Sequence, residues 1–158
     1  MNRTAQIARQ LREVHFGENW SASSLKEILE GVTWQEATTK VYSFNTIAAL
    51  VYHMHYYVEA VSKVLAGEGL YASDNRSFDL PPIRSREDWN ALLEKTWKDA
   101  ENMAALIEKL PESSLDKVFS DPKYGNYYRN ISGVIEHIYY HMGQVVLIKK
   151  MIGEKKEN

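Results

Sequence analysis

Two apolar stripes at helical spacing constrain this chain most. From about Phe44 to Leu65, the residues Ile47, Leu50, Val51, Met54, Val58, Val61 and Leu65 recur at intervals of three and four, and Gly67 ends the segment. From about Asn130 to Ile152, Val134, Ile138, Val145 and Ile148 share one face, with Gly153 as the expected stop. An α-helix returns side chains to one face at this period, whereas a half-buried strand would alternate. Helices of this length must bury their stripes against one another, so an all-α fold is expected.

Two further long segments complete the set. Thr4 to His15 carries Ile7, Leu11, Val14 and His15 at helical spacing before Gly17. Ser85-Arg86-Glu87-Asp88 opens a helix reaching about Leu110, with Trp89, Leu92, Leu93, Trp97, Met103 and Leu106 inward and Pro111 beyond its end. Between the first two long helices, Ser21 or Ser23 can open a short piece stopped by Gly31, and Thr33-Trp34-Gln35-Glu36 has the form of a capping box. Gly67 to Arg84 reads as a long surface crossover, and Pro111 to Tyr128 as a second long connector. The expectation is one domain over residues 1–158, a four-helix bundle with at least one crossover connection.

Composition removes several function classes. The chain has 158 residues with 19 Lys+Arg against 21 Asp+Glu, a net charge of −2 that offers nucleic acid no global attraction. Lys149, Lys150, Lys155 and Lys156 read as a solvated helix end, where cations suit the dipole. The absence of cysteine excludes disulfides, a thiol nucleophile, a thiolate zinc site and an iron–sulfur cluster, so any metal must use His, Asp or Glu. The most apolar stretch, 46–64, is interrupted by His53, His55, Glu59 and Lys63, and residues 1–12 lack a signal-like apolar run. A cytoplasmic protein that neither spans a membrane nor binds nucleic acid is expected.

The five histidines carry the most chemical information. His137 and His141 lie one turn apart on the inward face of the last helix, so both imidazoles can converge on one ion. His53 is in line with Leu50, Tyr57 and Val61 on the stripe of another long helix. A third imidazole from a facing helix would give a three-His site with an open position, as catalytic metals need. The alternative is a set of core-edge histidines satisfied by hydrogen bonds. His55, two positions from His53, points away from it and is expected at the surface or behind a ligand, as is His15. The segment His137-Ile138-Tyr139-Tyr140-His141 lacks the glutamate of either zinc-protease motif, and no Glu-x-x-His pair, P-loop, dinucleotide fingerprint or nucleophile elbow occurs. Gln144, Tyr57 and Tyr140 could approach a ligand or bound water, although packing explains them equally well. Trp20, Trp34, Trp89 and Trp97 are expected in the core or at a dimer contact.

The stretch Gly133-Val134-Ile135-Glu136-His137-Ile138-Tyr139-Tyr140-His141-Met142-Gly143-Gln144-Val145 resembles the last-helix signature of the DinB-like, YfiT-like metalloenzyme family. Leu50-Val51-Tyr52-His53-Met54 with Leu65-Ala66-Gly67 is similar to the family's second-helix pattern, and residues 20–25 and 29–33 to its N-terminal region. The resemblance implies an up-down-down-up four-helix bundle, often homodimeric. It also implies a divalent metal, nickel or zinc before manganese or iron, held by His53, His137 and His141. Relatives include low-molecular-weight-thiol transferases and a mycothiol-dependent isomerase, so the resemblance implies thiol chemistry on a small-molecule substrate, while metal-activated water giving hydrolysis is equally permitted by three imidazole ligands. With no cysteine in the chain, the thiol would come from outside as a small cofactor. The rivals are a non-catalytic metal-binding or dimeric interaction protein and a helical bundle without metal.

Overall fold

Side-chain caps decide where the long helices begin. The computed structural model describes residues 2–154 throughout and the helical backbone of 155–157. Asn2 accepts from the Ala5 N–H to open α1 (Arg3–Phe16), and Thr46 accepts from Ala49 to open α4 (Ile47–Leu65). Ser85 accepts from Asp88 at the head of α5 (Arg86–Lys109). The short helices α2 (Leu25–Leu29) and α3 (Trp34–Thr38) each open on a complete capping box, Ser24 with Glu27 and Thr33 with Glu36. Ser24 therefore caps α2 in place of Ser21 or Ser23, because Asn19 engages those two neighbours, one through its side chain and one through its backbone carbonyl.

The last helix differs most from its expected bounds. α6 runs over Tyr127–Glu157 and passes through Gly153 without stopping. A helical glycine costs only about 1 kcal/mol, and Gly153 is not among the positive-φ residues that would break the ladder. At the other end the Asn126 side chain accepts from the Arg129 N–H at 2.8 Å, which starts the helix three residues before Asn130. Lys149 is not free in solvent: its ammonium donates to the Ile28 carbonyl at 2.8 Å and the Glu30 carbonyl at 3.3 Å, closing the end of α2. The side chains of Lys155 and Lys156 lie outside the described residues.

The protein is all-helical. Among the described residues there is no strand, only an isolated bridge between Val118 and Asn126 in the connector before α6. Each of the four long helices packs on two others: α1 on α5 and α6, and α4 on α5 and α6. The core holds Leu11, Ile47, Met54, Met103, Ile107, Ile131 and Ile138, all 1% exposed or less. Full burial of a side chain of this kind contributes about 1.5–3 kcal/mol. Trp89 is 2% exposed and satisfies its indole N–H on the Val32 carbonyl at 2.9 Å, whereas Trp20 is fully exposed rather than in the core. No described helix is long and apolar enough to cross a membrane.

The long connector after α4 is more than a surface crossover. Residues 74–78 form a 3₁₀ turn, Asp74–Phe78, that packs on α4 and buries Ser77 completely. The chain is anchored there by Tyr56, which accepts from the Ser73 N–H at 2.8 Å, and by Tyr57, which donates to the Asp74 carboxylate.

Candidate metal centre

Three imidazoles meet on the seam between α4 and α6. His137 Nε2 lies 3.0 Å from His53 Nε2 and 3.0 Å from His141 Nε2. The three donor nitrogens all lie within 4.8 Å of one another, on residues that are buried or half-buried. An ion bound at the usual ~2.0–2.1 Å to imidazole nitrogen holds neighbouring donors roughly 2.9–3.4 Å apart, so the two close spacings suit a shared cation.

Two of the three rings have their outward nitrogen committed. Ser77 Oγ donates to the Asp74 carbonyl at 2.7 Å, which leaves its lone pairs to accept from His53 Nδ1 at 2.9 Å. The Gln144 carbonyl oxygen lies 2.6 Å from His141 Nδ1 and can only accept. Both rings therefore carry their proton on Nδ1 and aim the Nε2 lone pair at the centre, the tautomer a metal ligand needs. His137 Nδ1 is buried with no hydrogen-bond partner. Whichever nitrogen of His137 holds its proton, the protein alone leaves a polar atom of that ring unsatisfied or lone pairs facing each other. A shared cation relieves the convergence of lone pairs.

Burial favours the neutral form of His53 and His137. Burial lowers the pKa of His137 to about 4, with His141 and His53 adding to the effect. Burial likewise lowers that of His53, with His141 next. No carboxylate joins the three nitrogens, so the double charge of a bound ion would be left uncompensated by its donors. Asp74, held by the Tyr57 hydroxyl, is the acid whose charge reaches His53. Burial and that bond push the Tyr57 phenol up to about 12, so it stays a donor. Aromatic rings fix the imidazoles in place: Phe78 stacks on His53 at 4.0 Å and 9°, and Tyr57 meets His53 and His137 edge-on at 5.3 and 5.0 Å.

The sequence-based site residues are thus brought together, and Gln144 and Tyr57 take up roles beside them. Tyr140 is 67% exposed and only its ring edge touches His141. Ser77 and Phe78 belong to the site and were missed, since nothing in Asp74-Asn75-Arg76-Ser77-Phe78 marks a ligand partner. His55 and His15 are not at the surface: they are 3% and 1% exposed. His15 Nδ1 donates to the Leu11 carbonyl at 2.8 Å, and burial lowers its pKa to about 4.

His55 belongs to a second polar cluster, between α4 and α5. Its Nε2 lies 2.7 Å from Asp99, and Glu59 completes a group that could itself hold a cation. Here Lys95 already supplies one: its ammonium is 2.6 Å from Asp99, 3.1 Å from Glu59 and 3.4 Å from His55. Burial opposes the charge on Lys95, but Asp99 and Glu59 outweigh it and keep the pKa raised.

A cavity of about 510 Å³ reaches His137 from outside, between α4 and the start of α6. No protein-family model, curated protein or solved structure matches this chain significantly.

Proposed function

We propose that the chain is a DinB-like metal-dependent protein that binds one divalent ion through His53, His137 and His141. The further proposal is that it promotes attack of water or of an exogenous low-molecular-weight thiol on a small electrophile, as a cytoplasmic homodimer. The observation that carries the reading is the convergence of three Nε2 atoms, two of them with the opposite nitrogen bonded to an acceptor. Imidazole donors suit zinc and nickel, with iron and manganese as alternatives.

The pairing of the long helices supports an up-down-down-up bundle. Along α1 and α5, the Arg3 N–H meets Glu112 just past α5 while Arg12 meets Glu101 and Glu108, the order of antiparallel neighbours. Along α4 and α6, Leu50 lies with Gln144 and Ile148, and Val61 with Gly133, again antiparallel. Glu59 pairs with Lys95 while Ala66 lies near Leu106, so α4 and α5 run parallel.

An ion with three neutral ligands is a strong Lewis acid that lowers the pKa of water or of a thiol. The chain's own residues do the rest. Ser77 and Gln144 hold two imidazoles in the ligating tautomer, and Phe78 and Tyr57 restrict the rings. The cavity beside His137 admits a reactant to that side of the centre.

The test is metal content by elemental mass spectrometry on untagged protein, beside His53→Ala, His137→Ala, His141→Ala and His55→Ala. About one divalent ion per chain, lost in the first three variants and kept in the fourth, is the expected result. Metal retained by His137→Ala, or none taken up from nickel, zinc, manganese or iron, overturns the ligand set. Loaded protein is then assayed for ester hydrolysis and for thiol transfer to a chloroarene. Full occupancy without turnover in either assay would favour the non-catalytic metal-binding reading.

A further inference from the structure

The cavity beside His137 has a charge of one sign. Lys123 and Arg129 line it with Tyr57, Tyr124 and Asn130, and no carboxylate is among its lining residues. Lys123 forms no ion pair among the described residues; its ammonium sits 4.8 Å from the centre of the Tyr124 ring. Arg129 touches Glu136 through Nη1 alone at 3.1 Å, and both side chains are about two-thirds exposed, at 64% and 66%. An exposed single contact of this kind is weak and leaves the other guanidinium donors available.

The sequence of α6 places this charge relative to the histidines. Arg129, Gly133, His137 and His141 follow one another at intervals of four, so they descend one face of the helix. Gly133 leaves room for this: a Cβ there would lie 3.2 Å from Arg129 Nη1, so its absence eases the folding of the guanidinium along the helix past Gly133. Arg129 and His137 are about 12 Å apart along the axis, and the folded side chain spans roughly half of that. A planar guanidinium with free donors matches a carboxylate bidentately, and the neighbouring ammonium adds a second positive charge.

We propose that this cavity binds a small carboxylic acid, with its carboxylate on Arg129 and Lys123 and its far end beside His137. The inference rests on the metal-centre reading for which atom reacts, but the acid site stands on Arg129, Lys123 and the cavity. A substrate or thiol cofactor of this class carries its acid a few bonds from the reacting atom, which Arg129 then holds in register with the three histidines.

Calorimetric titration with glutarate and with its uncharged diamide tests the proposal on the full-length chain, both cobalt-loaded and metal-free. The wild type is expected to bind glutarate at least about tenfold more tightly than the diamide. The double variant Lys123→Gln, Arg129→Gln should lose that preference while keeping its helicity and its metal content, since neither residue is a proposed ligand. Equal binding of acid and diamide by the wild type overturns the proposal, as does a preference that survives in the double variant. Inorganic phosphate that binds more tightly than glutarate, and loses its affinity in the same variant, overturns the carboxylate assignment. Failure of the metal reading is distinguishable: a chain that takes up none of nickel, zinc, manganese, iron or cobalt yet prefers glutarate supports the acid site and removes the metal centre.

Discussion

The two faces of α4 bury histidines in opposite ways. Toward α6, His53 meets two other imidazoles, the Ser77 hydroxyl and the rings of Phe78 and Tyr57, and no carboxylate or ammonium joins the three donor nitrogens. Toward α5, His55 meets Asp99 and Glu59, and the Lys95 ammonium stands among them at hydrogen-bonding distance. Both are polar clusters of metal-ligating side chains around a buried histidine, yet only the first has converging lone pairs. The difference teaches that ligand-type residues in proximity are not enough. What marks a cation site is a shortage of positive charge and of protons, and the α5 side has neither shortage.

The largest expected effect breaks the comparison if it is wrong. A divalent ion at a thousandfold excess over its dissociation constant should raise unfolding free energy by about 4 kcal/mol in the wild type, and by nearly nothing in His137→Ala. Urea unfolding with and without metal reads this, and an equal rise in both proteins would place the ion elsewhere. His55→Ala should be less stable than wild type by about 2–4 kcal/mol from the lost packing. It should still gain the full increment from metal.

Next in size is an effect of acid. His15 is buried beside a carbonyl and lacks even the carboxylate that His55 has. Its folded pKa of about 4 lies below the unfolded value of 6.5, so the unfolded chain takes up the proton first. Its contribution is whole above pH 6.5 and is lost as pH falls toward 4, by about 3 kcal/mol. Stability measured against pH in metal-free protein should fall less steeply in His15→Gln, and parallel curves would refute the assignment.

Smaller effects sharpen the contrast. Gln144→Ala removes the acceptor that orients His141, and metal affinity should drop by roughly 10–100-fold with little change in fold. Competition with a chromophoric chelator measures it. Smallest of all, Lys95→Met withdraws the resident cation from the α5 side. That cluster should then acquire weak divalent-ion binding, visible as a second, millimolar-range site by calorimetry, while the wild type shows one.

Much of this was legible in the chain, for identifiable reasons. His137 and His141 share a helix, so their spacing alone puts both rings on one face. His53 lay on a stripe whose inward direction the neighbouring aliphatics fix. The positions of Ser77 and Phe78 were not legible, because the 74–78 turn is ordered by Tyr56, Tyr57 and His53 of another element and not by a local pattern. His55 was misplaced for a different reason. Two residues from His53 does mean the opposite side of the helix, but α4 packs on α6 and on α5, so its opposite side is interior as well. His15 follows Leu11 by four and lies on the same buried stripe, which ranks above its polarity. Helix ends were readable to a few residues wherever a side chain caps them, and least readable at Gly153, where a glycine has no conformational demand to enforce.

His53 and His137 are 84 residues apart in the chain, and this cysteine-free protein has no covalent way to join them. An ion gripped by both would close a loop comparable to that of a long-range disulfide, for which loop entropy alone predicts about 4–5 kcal/mol of restraint on the unfolded chain. Unlike a disulfide, the crosslink would survive a reducing compartment and could be withdrawn by a chelator. Metal supply would then set how long the molecule lasts as well as what it can do.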